Sequence, residues 1–496
     1  SPSMSSLSPA EVRVIVIGAL LALFLSALDQ TIVATALPPI AADLGGFTLI
    51  SWVVTAYLLT STCITPIVGK LSDLYGRRRI LNLSLILFMI GSALSALAPS
   101  MPLLILFRAI QGLGGGGLLT VGQTVIADVV SPRERGRYAG HFAVVWGSAS
   151  ILGPTVGGLL TQYYGWPWIF WINIPFGLAA LLIADRALRK LPIESHRSRI
   201  DLWGVLFLSV GTVCFLVLLS LGGKVIPWTA PPALLLAAVA AVGGVLFARA
   251  QTRAAEPILP PRFLKDGVIR PVLVVSVIIY AVWLAVSVLA PVYFQVARGA
   301  SVSEAGLLMI PIMLSSTITA NVAGRYTRRH GRYKRPPIVS LPLTILCLFL
   351  LAAFAADLSP YAAATILMVA GFGFGPIFPC CNVAAQNAVQ RRDLGAVSGA
   401  VAFARTLGGA LGVAAASALV LGLLAGALGR GGEVGDIEDL VRQSLSPEAR
   451  ATVAGAFAVM FGACGVVLAL GLGVYALVED RELGEHPPAA PIPAGE

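Results

Sequence analysis

The chain has 496 residues, 57% of them hydrophobic and only 12% charged, with a net charge of +10 and a mean hydropathy of +0.87. Soluble domains carry roughly 25% charged residues, so these figures exclude an ordinary soluble fold. The apolar residues come in runs of about twenty separated by short polar loops, which indicates membrane helices and not the alternating ten-residue segments of a β-barrel.

The first ten residues are polar and lack the charged region, apolar stretch and cleavage site of a signal peptide; the leading Ser1-Pro2-Ser3 resembles an expression scar. Fourteen helices are predicted, over about 12–37, 48–69, 80–98, 102–128, 138–162, 168–187, 201–222, 231–250, 269–295, 303–324, 336–356, 361–386, 395–425 and 452–478. Proline pairs such as Pro38-Pro39, Pro231-Pro232 and Pro260-Pro261 punctuate the boundaries. The loop from Arg249 to Arg270 holds Glu256-Pro257 and is expected to be partly extended. The loop 426–451, with Ile437 to Arg442, is expected to carry a short surface helix. Trp166, Trp168 and Trp228 are expected at headgroup level. All six cysteines (Cys63, Cys214, Cys347, Cys380, Cys381 and Cys464) lie in apolar runs and read as core residues, with no disulfide or metal spacing.

With the N-terminus inside, the alternate loops hold 27 of the 34 lysines and arginines, and the opposite loops hold five: Lys224, Arg298, Arg430, Arg442 and Arg450. Arg108 and Arg405 fall within spans. This bias predicts that both termini are cytoplasmic, and it assigns the positive charge to topology and not to nucleic acid. Residues 69–79 form a short basic hairpin, with Gly69 and Gly76 seven apart, Asp73 between them and Arg77, Arg78 and Arg79 behind. Residues 324–334 repeat it at an offset of 255, with Gly324, Gly331 and a basic tail ending at Lys334. The repeat divides the chain into an N-terminal six-helix bundle (1–187), inserted helices 7 and 8 with their linkers (188–267), a C-terminal six-helix bundle (268–479) and a cytoplasmic tail (480–496). The fold class is an all-α polytopic membrane protein.

Asp29 is the one acid deep in a predicted span, about 24 Å along the first helix. A carboxylic acid at that depth is by default functional and able to carry a proton; the structural alternative is an acid satisfied by hydroxyls such as Thr31. Arg108 in helix 4 lies at a similar depth and is its natural partner, or else a hydrogen-bond hub to Gln111 and backbone carbonyls. Asp73, Arg77 and Asp128 form a carboxylate–guanidinium–carboxylate set at the cytoplasmic mouth, either a latch or simple loop solvation. In helix 5, Gly153, Pro154, Gly157 and Gly158 combine a kink with close helix approach. Gln30, Tyr57, Gln111, Asn173, Tyr280, Trp283, Gln295, Asn321, Asn382, Gln386 and Asn387 are candidates to line a cavity, the aromatic ones with a rival role as core or interface anchors. Arg405, near Gly408 and Gly409, either meets an anionic group or bonds carbonyls freed by helix irregularity, the second being preferred. His141, His196, His330 and His486 lie at loops or membrane edges, which argues against an intramembrane metalloenzyme.

Together these residues resemble the major facilitator superfamily, specifically its fourteen-helix drug:proton antiporter branch. Residues 69–79 resemble the family's loop signature between helices 2 and 3. Arg108-Ala109-Ile110-Gln111-Gly112 resembles its helix 4 signature, which implies a role for Arg108 in proton coupling. Gly153-Pro154 with Gly157-Gly158 resembles the motif associated with exporters. Leu28 to Val33 and Trp168 to Pro175 resemble signatures of helices 1 and 6 in the same branch. The resemblance spans about 12–478 and implies the major facilitator fold, two six-helix bundles plus two inserted helices. Three departures stand out. Ala149 occupies a position that is often glycine, Arg328 replaces the acid of the second hairpin and so implies a one-sided latch, and the second half lacks a deep acid.

The expected activity is proton-coupled export of lipophilic drugs or other amphiphiles by alternating access, with no enzymatic step. An exporter of an endogenous lipid or metabolite and a passive facilitator are the alternatives. The expected setting is a bacterial inner membrane, with the chain a monomer in the lipid bilayer, exchanging protons for a small lipophilic substrate and needing no cofactor, metal or nucleic acid.

Overall fold

A computed structural model describes residues 7–46, 49, 52–191, 199–223, 225–427 and 447–484. Fourteen helices among them are long and apolar enough to cross a membrane. They are α1 (Pro9–Leu44), α2 (Trp52–Tyr75), α3 (Arg77–Ala96), α4 (Met101–Val129), α5 (Pro132–Tyr163), α6 (Trp168–Leu188) and α7 (Leu202–Leu221). The remainder are α8 (Pro231–Arg253), α9 (Ile269–Ala297), α10 (Val302–His330), α11 (Arg335–Phe354), α12 (Pro360–Asn387), α13 (Leu394–Ala427) and α14 (Pro447–Ala476).

The apolar runs supply the length, and local chemistry sets the ends. Ser8, Ser131, Asp201 and Ser359 each accept a backbone N–H in the first turn of the helix they precede, and Ser301 with Glu304 forms a full capping box ahead of α10. Some boundaries differ from expectation. The α1 helix continues through Pro38 and Pro39 to Leu44, because a membrane helix can re-satisfy the carbonyls that prolines free. The α5 helix begins six residues early at Pro132, whose missing N–H costs nothing in a first turn. The α6 helix breaks after Trp171, α12 breaks at Gly375-Pro376, and α9 closes in a π turn over Tyr293–Ala297. The linker after α8 is partly extended, as expected, with 254–260 outside any helix, and Pro261 then starts a one-turn helix, Pro261–Lys265. Trp166 is buried, its Nε1 donating to Asp43 at 2.8 Å, whereas Trp168 and Trp228 are exposed. The surface helix expected within 426–451 lies outside the described residues.

Helices α1–α6 and α9–α14 each enclose apolar cores of their own. The two groups meet along two seams, α2 against α13 and α5 against α10. The inserted pair leans on the first seam, where Leu208 of α7 and Ile258 of the following linker cluster with Ile67 of α2, and Phe403 of α13 packs alongside. An ion pair between Glu256 and the buried Lys70, 2.8 Å, fastens that linker to α2. Beyond α14 the chain runs back across the face that bears the basic hairpins. Leu483 N–H donates to Gly331 (2.9 Å) and Arg133 N–H to Gly484 (3.3 Å), so this strap touches both halves. Tyr333 donates its hydroxyl to Glu479 there, and burial pushes its phenol pKa up.

Candidate functional site

Asp29 lies twenty residues along α1 from Pro9, roughly 30 Å from the basic face. Arg108 lies seven residues into α4 from its opposite end, roughly 10 Å from the far face. The two helices run side by side, and Arg108 Nη1 donates to Asp29 Oδ2 at 2.6 Å, with the side chains 1% and 0% exposed. Gln111 Nε2 and Asn173 Nδ2 both donate to Asp29 Oδ1, at 3.0 and 3.1 Å. Arg108 also donates to Gln111 Oε1 (2.8 Å) and to the Val53 carbonyl (3.0 Å), and its guanidinium lies 4.4 Å from the centre of the Tyr57 ring. Every oxygen of the carboxylate is therefore matched by a donor, which is what a buried ion pair requires to be tolerated. Thr31 does not satisfy Asp29; its hydroxyl donates to the Ala149 carbonyl at 2.8 Å instead. Arg108 is both the acid's partner and a hub, so its two sequence readings describe one arrangement.

At the basic face, Arg77 Nε donates to Asp128 Oδ2 at 2.8 Å and Arg77 Nη1 donates to Asp73. The Asp73 carboxylate then crosses the seam and accepts the N–H groups of Gly395 (2.9 Å) and Ala396 (2.7 Å), in the first turn of α13. A helix N-terminus carries unsatisfied donors and partial positive charge, so an acid there is well placed. Arg391 closes the ring with an ion pair to Asp128 at 3.5 Å. Gly69 permits this approach, since a Cβ on it would run into the Gly395 carbonyl. Gly76 turns the hairpin at φ +97°, a conformation that disfavours a side chain.

The second hairpin repeats this geometry with different chemistry. Gly324 abuts the Gly136 carbonyl of α5, and Gly331 turns at φ +67°. Arg328 stands where the first hairpin has Asp73, and it pairs with Glu134 in the first turn of α5 at 2.8 Å. The expectation of a one-sided latch is thus corrected: the acid has moved from the hairpin to the helix it meets. Both ion pairs between the halves among the described residues, Asp128–Arg391 and Glu134–Arg328, lie at this face.

The sequence model of the Major Facilitator Superfamily matches residues 19–413. The chain belongs to the major facilitator superfamily. It is 36% identical over 400 residues to the "Multidrug transporter protein MdtP" of Bacillus subtilis (strain 168), a match covering 80% of this chain and 73% of that protein. It is 34% identical over 404 residues to "Multidrug resistance protein 3" of the same strain, covering 82% and 78%. Among solved structures, the proton:xylose symporter XylE bound to 6-bromo-6-deoxy-D-glucose aligns with a TM-score of 0.61 at 16% identity, over 95% of this chain and 97% of that one. That last likeness is one of fold. Membership of the superfamily makes the chain a membrane transporter and not an enzyme.

In this facilitator the helix 5 motif faces α1 within one half, and not the seam. A Cβ at Gly153 would strike Thr31, two residues from Asp29, and Gly157 is also buried. Pro154 is exposed, and Gly158 has open space around it. Ala149 takes its place on the same edge, supplying the carbonyl that holds Thr31.

The candidate cavity residues separate into three groups. Tyr57, Gln111 and Asn173 are buried in the shell of Asp29, with half-buried Gln30 adjacent on α1, so they do not line a central cavity as a set. Asn321 and Gln386 hold helices together, Asn321 reaching the Gly140 carbonyl of α5 at 3.5 Å and Gln386 donating to Ser398 of α13. Tyr280 and Asn382 line a small cleft beside Arg405, and Trp283 packs next to them. Gln295 is half-buried in the π turn, and Asn387 reaches the strap at Glu482. Sequence reasoning missed Arg391, Glu134 and Ser92, the last an acceptor for Asn173 at 3.0 Å. The 255-residue offset carries a signal for the first alone: Arg391 precedes α13 much as the 132–135 turn heads α5.

Proposed function

We propose that this transporter exports lipophilic drugs or related amphiphiles in exchange for protons, by alternating access between its two six-helix halves. The hairpin face is cytoplasmic, both termini lie on that side, the membrane is a bacterial inner membrane, and the chain works as a monomer without a cofactor. The names of the two Bacillus relatives and the charge bias of the loops support cargo class and orientation. One observation supports the coupling: among the described residues Asp29 is the only carboxylate so far from a helix end, and it is held by a guanidinium and two amides.

In this reading the halves sealed at the hairpin face represent the state that meets the outside. A proton arriving from outside neutralises Asp29, weakens its tie to Arg108 and frees α1 and α4 to shift. Release of the proton inside restores the pair and readies the site for cargo. At ~150 mV one proton supplies roughly 3.5 kcal/mol, enough for a gradient of about 300-fold for a neutral cargo.

The experiment is efflux from proteoliposomes with an imposed pH gradient, with internal pH recorded alongside a panel of cationic dyes, neutral antibiotics and lipids. Wild-type protein should acidify the lumen that takes the proton as cargo leaves, and Asp29→Asn should lose this while remaining monodisperse. Transport that moves cargo without protons would make the protein a passive facilitator.

A further inference from the structure

Two arginines lie deep in the spans, and they are treated in opposite ways. Arg108 has Asp29. Arg405, eleven residues along α13, has no salt bridge to any described residue and is only partly buried. Its guanidinium lies 5.4 Å from the centre of the Tyr280 ring, and its Nη2 makes a long 3.4 Å bond to Gln123 of α4, across the seam. Among the described residues none of its bonds goes to a backbone carbonyl, which departs from the preferred sequence reading of an arginine repairing an irregular helix. A cation left without a counter-charge in a membrane interior is a costly arrangement unless something anionic visits it.

The placement is built in. Gly408 and Gly412 let α13 lie directly on α9, since a Cβ on either would enter the backbone at Val277 and Ala281. That close contact carries Arg405, one turn earlier, over Tyr280. The cleft beside it is lined by Ser276, Tyr280, Phe378 and Asn382 among others, and no acid lines it. The Ser276 hydroxyl is buried and has no hydrogen-bond partner. Tyr280 meets Phe378 edge-on at 5.2 Å, and Trp283 meets Phe378 at 5.4 Å, so aromatic surface adjoins the charged group.

We propose that Arg405, with Ser276 and Asn382, is the recognition site for the anionic head of an aromatic, amphiphilic cargo such as a monocarboxylate. The planar guanidinium suits a carboxylate bidentately. The Ser276 hydroxyl and the Asn382 amide supply further donors, and the Tyr280–Trp283–Phe378 cluster takes the ring. The neutral, stretched contact to Gln123 is the one an anion replaces, and because Gln123 belongs to the other half, cargo at this site acts on the seam itself. This rests on the exporter reading and narrows its cargo to anions or zwitterions with an exposed acid.

The test is equilibrium binding to the purified full chain in micelles at neutral pH, without a gradient, using 1-naphthoate and its neutral isostere 1-naphthamide, with empty micelles as reference. Wild type should prefer naphthoate by about tenfold or more, the worth of hydrogen bonds to a charged group. Arg405→Gln should abolish the preference, Arg405→Lys should keep part of it, and Ser276→Ala should weaken naphthoate binding while sparing naphthamide. No preference in wild type, including no binding of either probe, overturns the proposal, as does a preference that survives in Arg405→Gln. Because no gradient is present, proton coupling does not enter: a chain that selects naphthoate but moves no protons refutes the coupling alone, and one that moves protons with dyes yet ignores the carboxylate refutes this site alone.

Discussion

Arg108 and Asp29 are 79 positions apart in the chain and 2.6 Å apart in the fold, with neither side chain reaching solvent. A buried pair of this kind adds little net stability when intact, but stranding one partner is expensive, about 3–5 kcal/mol. Arg108→Ala should therefore lower the thermal midpoint strongly, with Asp29 left uncompensated. Asp29→Asn with Arg108→Gln should recover most of the loss, since both charges go together. Thermal unfolding of the three purified proteins in detergent checks this; an Arg108→Ala protein as stable as wild type would refute it.

Asp73 accepts two N–H groups from α13 across the seam. Hydrogen bonds to a charged group are worth roughly 1.5–3 kcal/mol each. Asp73→Ala should shift the population away from the state sealed at the hairpin face by tenfold or more. Spin labels at the exposed positions Arg79 and Arg329 would report it as a second, longer distance in pulsed electron resonance.

Glu134 and Arg328 hold the pseudo-symmetric position, yet their side chains are 32% and 51% exposed. Ion pairs of that kind contribute about 0–1 kcal/mol. Charge reversal at either one should move the same label distances only slightly, and the double swap Glu134→Arg with Arg328→Glu should restore them. An effect as large as that of Asp73→Ala would show that the two hairpins carry equal weight.

Gly153 leaves room for Thr31. Gly153→Val forces α5 away from α1 two residues from Asp29, at an overpacking cost of about 1–3 kcal/mol. The variant should lose stability and pH-driven transport together. Adding Thr31→Ala should return part of both, measured by thermal midpoint and proteoliposome flux.

Spans and their order could be read from the sequence because twenty apolar residues in water have few other uses. The hairpin glycines were legible as a repeat, and each pair does the same job: Gly69 and Gly324 for close approach, Gly76 and Gly331 for the left-handed turn. The similar depths of Asp29 and Arg108 followed from counting residues along two helices. What a count of residues does not fix is which way a polar side chain faces, so Asn173 and Tyr57, candidates for the cavity, turn into their own bundle, Asn173 onto Asp29 and Tyr57 onto Arg108. Trp166 misled for a similar reason, since its amphipathic ring suits a headgroup belt or a buried bond to Asp43 equally well. The Glu134–Arg328 pair was hidden because it joins residues 194 positions apart whose charges are swapped relative to the first hairpin.

The guanidinium on α13, which meets no acid among the described residues, bears on electrical work. Were the cargo to leave as a monoanion while one H⁺ enters, each turnover would displace two elementary charges in the same direction. At ~150 mV that is roughly 7 kcal/mol, available even when both sides share the same acidity. Such a pump would run on voltage, and valinomycin-clamped vesicles would reveal it as a current whose reversal potential depends on cargo charge.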